Sequence, residues 1–294
     1  MSPAALMNPV SDSGSAPVTQ FTGRPVKTAC VSSVRTEMAP HVPYFFSRPA
    51  AEIPLRGTII SIHGITRNSA AHAFHMARAA GPSGYCVIAP HFSKTEYSGY
   101  QLAQANAAGR DASQALKLVL ADASLRFGIP TQSPILCGYS GGGQFAHRFV
   151  LTQDVAVRQL ILIAPGWFTF PDSNEPFPYG LAPQANGMPG APGLDRLLRT
   201  PISVIVGTSD IRRNGTLNTD PRLDARQGRN RLARASAWVE AINASAEERC
   251  LEPAATLVTV KKADHNFDTN FRRHGFAGRI LDLIHKQHQP NPKT

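Results

Sequence analysis

The sequence predicts an α/β fold with a mainly parallel central sheet of about eight strands and helices on both faces. Three observations lead there. Short runs rich in Val, Ile and Leu recur along the chain, and most are apolar throughout rather than alternating, which is how strands buried on both sides read. Longer stretches with helical spacing of apolar residues separate them. The alternation persists to the end of the chain, and strands alternating with helices imply parallel pairing. At 294 residues, 42% of them hydrophobic, the chain can bury a large core, and the spacing of its apolar segments offers no place to divide it.

Residues 1–25, beginning "MSPAALMNPVSDSGSAPVTQ", read as a flexible leader without the basic start and apolar run of a secretory signal. A single domain is expected over 26–288, with a C-terminal tail at 289–294. Within it, "VPYFFSRP" and "GTIISIHG" read as strands, the second apolar until His63 and Gly64. "NSAAHAFHMARAA" is the next helix and "GYCVIAPHF" the next strand. A long helix is expected from Gln101 to Phe127, carried by Ala112, Ala115, Leu116, Val119, Leu120 and Ala123 at helical spacing. "SPILCGY" then reads as a buried strand and "QFAHRFVLTQ" as a helix. "VRQLILIAPG", "PISVIVGTSD" and "ATLVTVKKADH" supply three more strands, with helical "RNRLARASAWVEAINASAEE" and "GFAGRILDLIHKQ" between or after them.

Composition excludes several classes. No apolar run approaches the eighteen or so residues that span a bilayer, so no membrane partner is expected. The four cysteines, Cys30, Cys86, Cys137 and Cys250, form no C-x-x-C pair; they read as reduced thiols, which implies a cytoplasmic location. The net charge of +10 raises the question of nucleic acid. Seven arginines lie between Arg212 and Arg234, but no aromatic residue interleaves them, so a stacking platform is not supported and no nucleic-acid partner is expected. The cluster reads as a solvated loop and helix face, with attraction of anionic substrates as the alternative. No phosphate-cradling loop, dinucleotide fingerprint or metal-ligand cluster is present, His72 and His75 lacking a third ligand, so no cofactor and no metal are expected.

The chemistry lies at the ends of strands, where such sheets bind ligands. Between "SPILCGY" and "QFAHRFVLTQ", Ser140 stands with Gly138 before it and Gly141, Gly142 and Gly143 after it. So many glycines imply a backbone held where a β-carbon would clash. The pattern G-x-S-x-G in a strand–turn–helix context is a nucleophile elbow, which lifts the serine hydroxyl clear of the sheet. Two further strands end at Asp210 and His265. A serine hydroxyl alone is a poor nucleophile; an imidazole can take its proton, and a carboxylate fixes the imidazole's tautomer and stabilises its cation. Asp210 is preferred over Asp264, which adjoins His265 in sequence. Acyl transfer also needs two N–H donors at the developing oxyanion. Gly141 would give one and the loop "HGITRN" the other, from Ile65 ahead of Thr66; His63 is read as shaping that loop.

With "HGITRN", "GYSGGGQFAHR", "APGWFTFPD" and "QGRNRLARASAW" in view, the chain resembles the α/β-hydrolase superfamily of serine hydrolases from about Leu55 to His285. Within it, the chain is similar to bacterial poly(3-hydroxybutyrate)-depolymerase-like esterases. The resemblance implies an acyl-enzyme mechanism carried by Ser140, Asp210 and His265 on a small-molecule ester. A haloalkane dehalogenase or an epoxide hydrolase would carry aspartate at position 140. Amidases, acyltransferases and lyases retain the same three residues and stay open, as does a non-catalytic small-molecule binding protein on the same fold. Sixty-nine residues separate Ser140 from Asp210, too few for a large helical cap. A lid loop is expected instead over 166–199, where six prolines and five glycines fall between Gly166 and Gly193. Trp167, Phe168, Phe170, Phe177 and Tyr179 would line its inner surface, with Trp167, Phe168, Phe177 and Tyr179 expected to touch substrate. The alternative is that these aromatics only anchor the loop.

Overall fold

The computed structural model describes residues 30–185, 189–213 and 215–287; the expected leader and tail lie outside them. Among the described residues, eight strands follow in chain order: β1 Ser32–Val34, β2 Tyr44–Ser47, β3 Gly57–Ile62, β4 Tyr85–Pro90, β5 Ile135–Tyr139, β6 Gln159–Ile163, β7 Ile202–Gly207 and β8 Ala255–Val260. They form one sheet in the order β1-β2-β4-β3-β5-β6-β7-β8. β1 and β2 run antiparallel to their neighbours, and every pair from β4 through β3, β5, β6 and β7 to β8 is parallel. The apolar runs of β4, β5, β6 and β7 are buried at every residue, as expected for strands covered on both faces. β8, at the sheet edge, is partly exposed along its middle. Burial of Cys86 and Cys137 in β4 and β5 pushes their thiols up, to about 11 and about 12.

The helices are α1 Ser69–Ala80, α2 Ala112–Phe127, α3 Gly141–Thr152, α4 Leu194–Arg199, α5 Pro221–Gln227, α6 Arg231–Glu247, α7 Phe267–Arg272 and α8 Phe276–Lys286. None of the described helices is long and apolar enough to cross a membrane. Helical spacing predicts a start for α2 at Gln101; the helix begins eleven residues later, at Ala112. Residues Tyr100–Leu102 make only a 3-10 turn, ended by Ala103 at φ 53°, and Gly109 turns at φ 74°. Asp111 then caps α2, its carboxylate accepting the Ser113 N–H at 2.7 Å. Helical spacing identified the right face but not the start, because a cap and a left-handed turn override propensity at a helix end. The short elements β1, α4, α5 and α7 carry too few periods to be read from sequence.

Candidate active site

The turn from β5 into α3 explains the glycine cluster. Ser140 occupies φ 53°, ψ −113° between the two elements, a strained conformation for a residue with a side chain. The glycines supply clearance. A β-carbon on Gly138 would lie 2.2 Å from the Gly142 carbonyl oxygen, and one on Gly142 would lie 2.3 Å from the Ile62 carbonyl oxygen. Only bare backbone lets the first turn of α3 sit against the ends of β3 and β5.

The loops after β7 and β8 are laced together by their backbones. Thr208 N–H donates to Val260 O at 3.0 Å, Ser209 N–H to Ala263 O at 2.9 Å, and Lys262 N–H to the Thr208 hydroxyl at 3.0 Å. This pairing fixes Asp210 relative to His265. His265 Nδ1–H donates to Asp210 Oδ2 at 2.8 Å, and the Ser140 hydroxyl donates to His265 Nε2 at 3.0 Å. The carboxylate selects the tautomer that leaves Nε2 free to accept. Asp264 turns away, its carboxylate accepting the Asn266 N–H at 2.9 Å. The Tyr139 hydroxyl, next in chain to Ser140, donates to the His265 carbonyl at 2.9 Å, tying the serine strand to the histidine loop.

Ile65 and Gly141 come together across the same turn. A β-carbon on Gly141 would lie 3.5 Å from the Ile65 nitrogen, and neither N–H has an acceptor among the described residues. The loop that carries Ile65 is clamped from below. His63, fully buried, donates from Nδ1 to Gly64 O at 2.8 Å and accepts the Phe92 N–H at Nε2 at 3.0 Å; burial pushes its pKa down to about 3, so it stays neutral. The Tyr100 hydroxyl donates to the His63 carbonyl at 2.6 Å, and Arg67 donates to the Phe92 carbonyl. His63 therefore shapes the loop and reaches no substrate.

A cavity of about 240 Å³ beside the Asp210–His265 pair is lined by Ser209, Asp210, Arg212, Thr216, Asp264, His265 and Asn266. None of the four aromatics expected to touch substrate lines it. Phe168 and Phe177 are 0% and 2% exposed; Phe168 stacks on Trp238 at 4.8 Å. Trp167 lies over the Arg148 guanidinium at 3.9 Å and against Tyr179 at 5.2 Å. Tyr179 faces a separate cavity of about 310 Å³ between the 166–199 segment and α5 and α6, which includes no triad atom. Phe168 and Phe177 are taken up by core packing. The exposed apolar side chains near the triad are instead Ile65 and Ile211, 46% and 53% exposed.

The arginine cluster also differs from its sequence reading. Arg231 and Arg234 are 1% and 0% exposed, as is Arg148 of α3 at 0%. Arg231 Nη1 donates to Asp210 Oδ1 at 3.2 Å. Arg234 donates to Gly166 O at 2.7 Å and pairs with Asp224, which Arg213 also holds. Arg222 and Arg226 pair with Glu175 and Asp172 of the 166–199 segment. Two of the seven arginines are thus buried inside the molecule, and none of this is visible in the spacing. Arg231 is the site residue that the sequence reading missed, because its only signal was an arginine one residue after a helix cap.

The eight-stranded sheet, its order and the position of the serine turn make this an α/β-hydrolase fold. No family model matches the chain, and no curated protein matches it. Among solved structures, the chain is similar to LpqC, a poly(3-hydroxybutyrate) depolymerase from Bordetella parapertussis, with 27% identity, a TM-score of 0.73, and 90% of this chain and 93% of that one covered. It is also similar to poly(aspartic acid) hydrolase-1 from Sphingomonas sp. KT-1, with 22% identity, a TM-score of 0.72, and 86% and 99% covered. An S-formylglutathione hydrolase from Agrobacterium tumefaciens has 16% identity, a TM-score of 0.56, and 88% and 93% covered. The last two likenesses speak for the fold alone.

Proposed function

We propose that this protein is a serine hydrolase that cleaves a carboxylic ester through an acyl-enzyme intermediate. The observation that carries the reading is the unbroken chain from Ser140 Oγ through His265 to Asp210, at 3.0 and 2.8 Å. The Ser140 oxygen attacks the ester carbonyl as His265 Nε2 takes its proton, and Asp210 holds Nδ1–H and stabilises the resulting imidazolium. Negative charge on the carbonyl oxygen is received by the Ile65 and Gly141 N–H groups, which have no acceptor of their own. The tetrahedral adduct expels the alcohol, protonated by His265, and leaves the acyl group on Ser140. His265 then deprotonates a water that releases the acid. The similarity to a poly(3-hydroxybutyrate) depolymerase favours an ester over an amide. Ile65 and Ile211 offer apolar contact at the mouth, and the Trp167 and Tyr179 side of the 166–199 segment bounds the substrate more remotely.

The test combines a fluorophosphonate probe with turnover of p-nitrophenyl esters of increasing chain length. The parent protein should be labelled on Ser140 and should turn over at least the short esters, and Ser140→Ala should do neither. A protein that binds the esters without labelling or turnover would instead be a binding protein on the same fold.

A further inference from the structure

The two carboxylate oxygens of Asp210 have different partners. Oδ2 accepts from His265 and Oδ1 from Arg231 Nη1. The side chains of Asp210 and Arg231 are each 1% exposed. Arg231 is the first residue of α6, behind the Asn230 cap, and its Nη2 donates to the Thr216 carbonyl at 2.8 Å and the Thr216 hydroxyl at 3.0 Å. Its guanidinium thus grips the loop that carries Asp210 at both ends.

We propose that Arg231 is a positioning residue for the Ser140–His265–Asp210 site, holding the Asp210 carboxylate in one orientation and placing a fixed positive charge against the His265–Asp210 pair. The inference rests on the hydrolase reading above. The other groups facing the pair act more weakly. Asp264 is bonded to the Asn266 N–H, Arg212 lines the cavity from an exposed position, and Tyr139 meets only the His265 carbonyl. Arg231 is the charged group that contacts the pair away from solvent, where salt and water screen it least. A proton entering the pair, on the imidazole or on the carboxylate, is repelled by the guanidinium. Without Arg231, a buried carboxylate has lost its cation, and the pair takes up a proton at higher pH, which removes the base.

The experiment follows kcat and KM against pH for the parent, Arg231→Lys, Arg231→Met, and Arg231→Met in an Asp210→Asn background, with thermal melts to verify folding. In Arg231→Met the acid limb of the rate profile should move up by about one to two pH units. Its kcat should fall roughly 100-fold at neutral pH with KM changed less than about twofold, as for a group acting only on the reacting side chains. Arg231→Lys keeps the charge and should leave the limb in place. In the Asp210→Asn background the further loss should be less than about threefold, because Arg231 acts through Asp210. If Arg231→Met does not fold, Arg231→Gln, which retains N–H donors without the charge, gives the same readout. A folded Arg231→Met or Arg231→Gln with the parent's acid limb, or an undiminished cost in the Asp210→Asn background, overturns the proposal. Fluorophosphonate labelling separates the two claims: a labelled parent with an unmoved limb overturns the role of Arg231 alone, and an unlabelled parent overturns the hydrolase reading with it.

Discussion

Two buried histidines do the same job beneath two different loops. His63 bridges Gly64 O and Phe92 N–H beneath the loop that carries Ile65. His147 of α3 bridges Gly143 O and Thr169 N–H, at 2.9 and 3.0 Å, beneath the start of the 166–199 segment. The β7 and β8 loops beside Asp210 and His265, however, are also bonded to each other backbone to backbone, through Thr208 N–H to Val260 O and Ser209 N–H to Ala263 O. Around His147, the backbone from Gly166 to Thr169 is held by side chains. Arg234 takes Gly166 O, Gln227 takes both N–H and C=O of Phe168, and Trp238 Nε1–H donates to Thr169 O at 2.8 Å. Arg148, with no carboxylate partner among the described residues, donates to Thr169 Oγ1 and Gln101 O; burial lowers its pKa to about 9, which leaves it charged at neutral pH. The loops of Asp210 and His265 thus share backbone hydrogen bonds, whereas the backbone from Gly166 to Thr169 meets side chains of α3, α5 and α6. Chemistry and stability should therefore separate by region.

The largest effect belongs to the backbone-laced side. Ser140→Ala should lower kcat by roughly 10⁴ to 10⁶ while the thermal melt stays close to that of the parent. Undiminished ester turnover in that variant would falsify the assignment. Asp210→Asn should cost about 10⁴ in kcat by favouring the wrong tautomer, and Asp264→Asn less than about tenfold; the reverse ranking would move the acid to Asp264. On the other side, Phe177→Ala should cost about 3 to 5 kcal/mol of stability by opening a cavity, with turnover per folded molecule within about tenfold of the parent. A denaturation curve and active-site titration with the fluorophosphonate check both halves, and a folded but inactive Phe177→Ala would break the comparison.

The paired histidines give a pH prediction common to both regions. Burial lowers His63 to about 3 and His147 well below its ordinary value, against 6.5 in the unfolded chain. Below pH 6.5 the unfolded state binds the protons that the folded state refuses, so stability falls as pH drops from about 6.5 towards 3. The slope is about 1.4 kcal/mol per pH unit per histidine once the unfolded side chain is fully protonated. Thermal melts from pH 7.5 to 4.5 should show the decline, and a melting temperature flat across that range would contradict the neutral assignment. The smallest effect concerns Trp167, which touches both Arg148 and Tyr179. Trp167→Ala should shift the ranking of short against bulky esters by about tenfold, the scale of hydrophobic discrimination. An unchanged ranking would make Trp167 an anchor like Phe168 and Phe177.

By itself the sequence determined the sheet strands from β2 to β8, the turn around Ser140, and the order of Ser140, Asp210 and His265 at strand ends. Those features are local: an apolar run declares a buried strand within six residues, and crowded glycines declare a close approach because few other positions favour them. Only the tertiary structure decided which polar side chains are inside. Arg231 meets Asp210 across 21 residues and Arg234 meets Gly166 across 68. A helix bearing arginines reads as solvated until partners from remote segments are brought against it. The same holds for Phe168 and Phe177, whose composition fits a substrate wall as well as a core. A side chain's chemistry is written at its own position, but the cost of burying it is met by groups that folding brings from elsewhere in the chain.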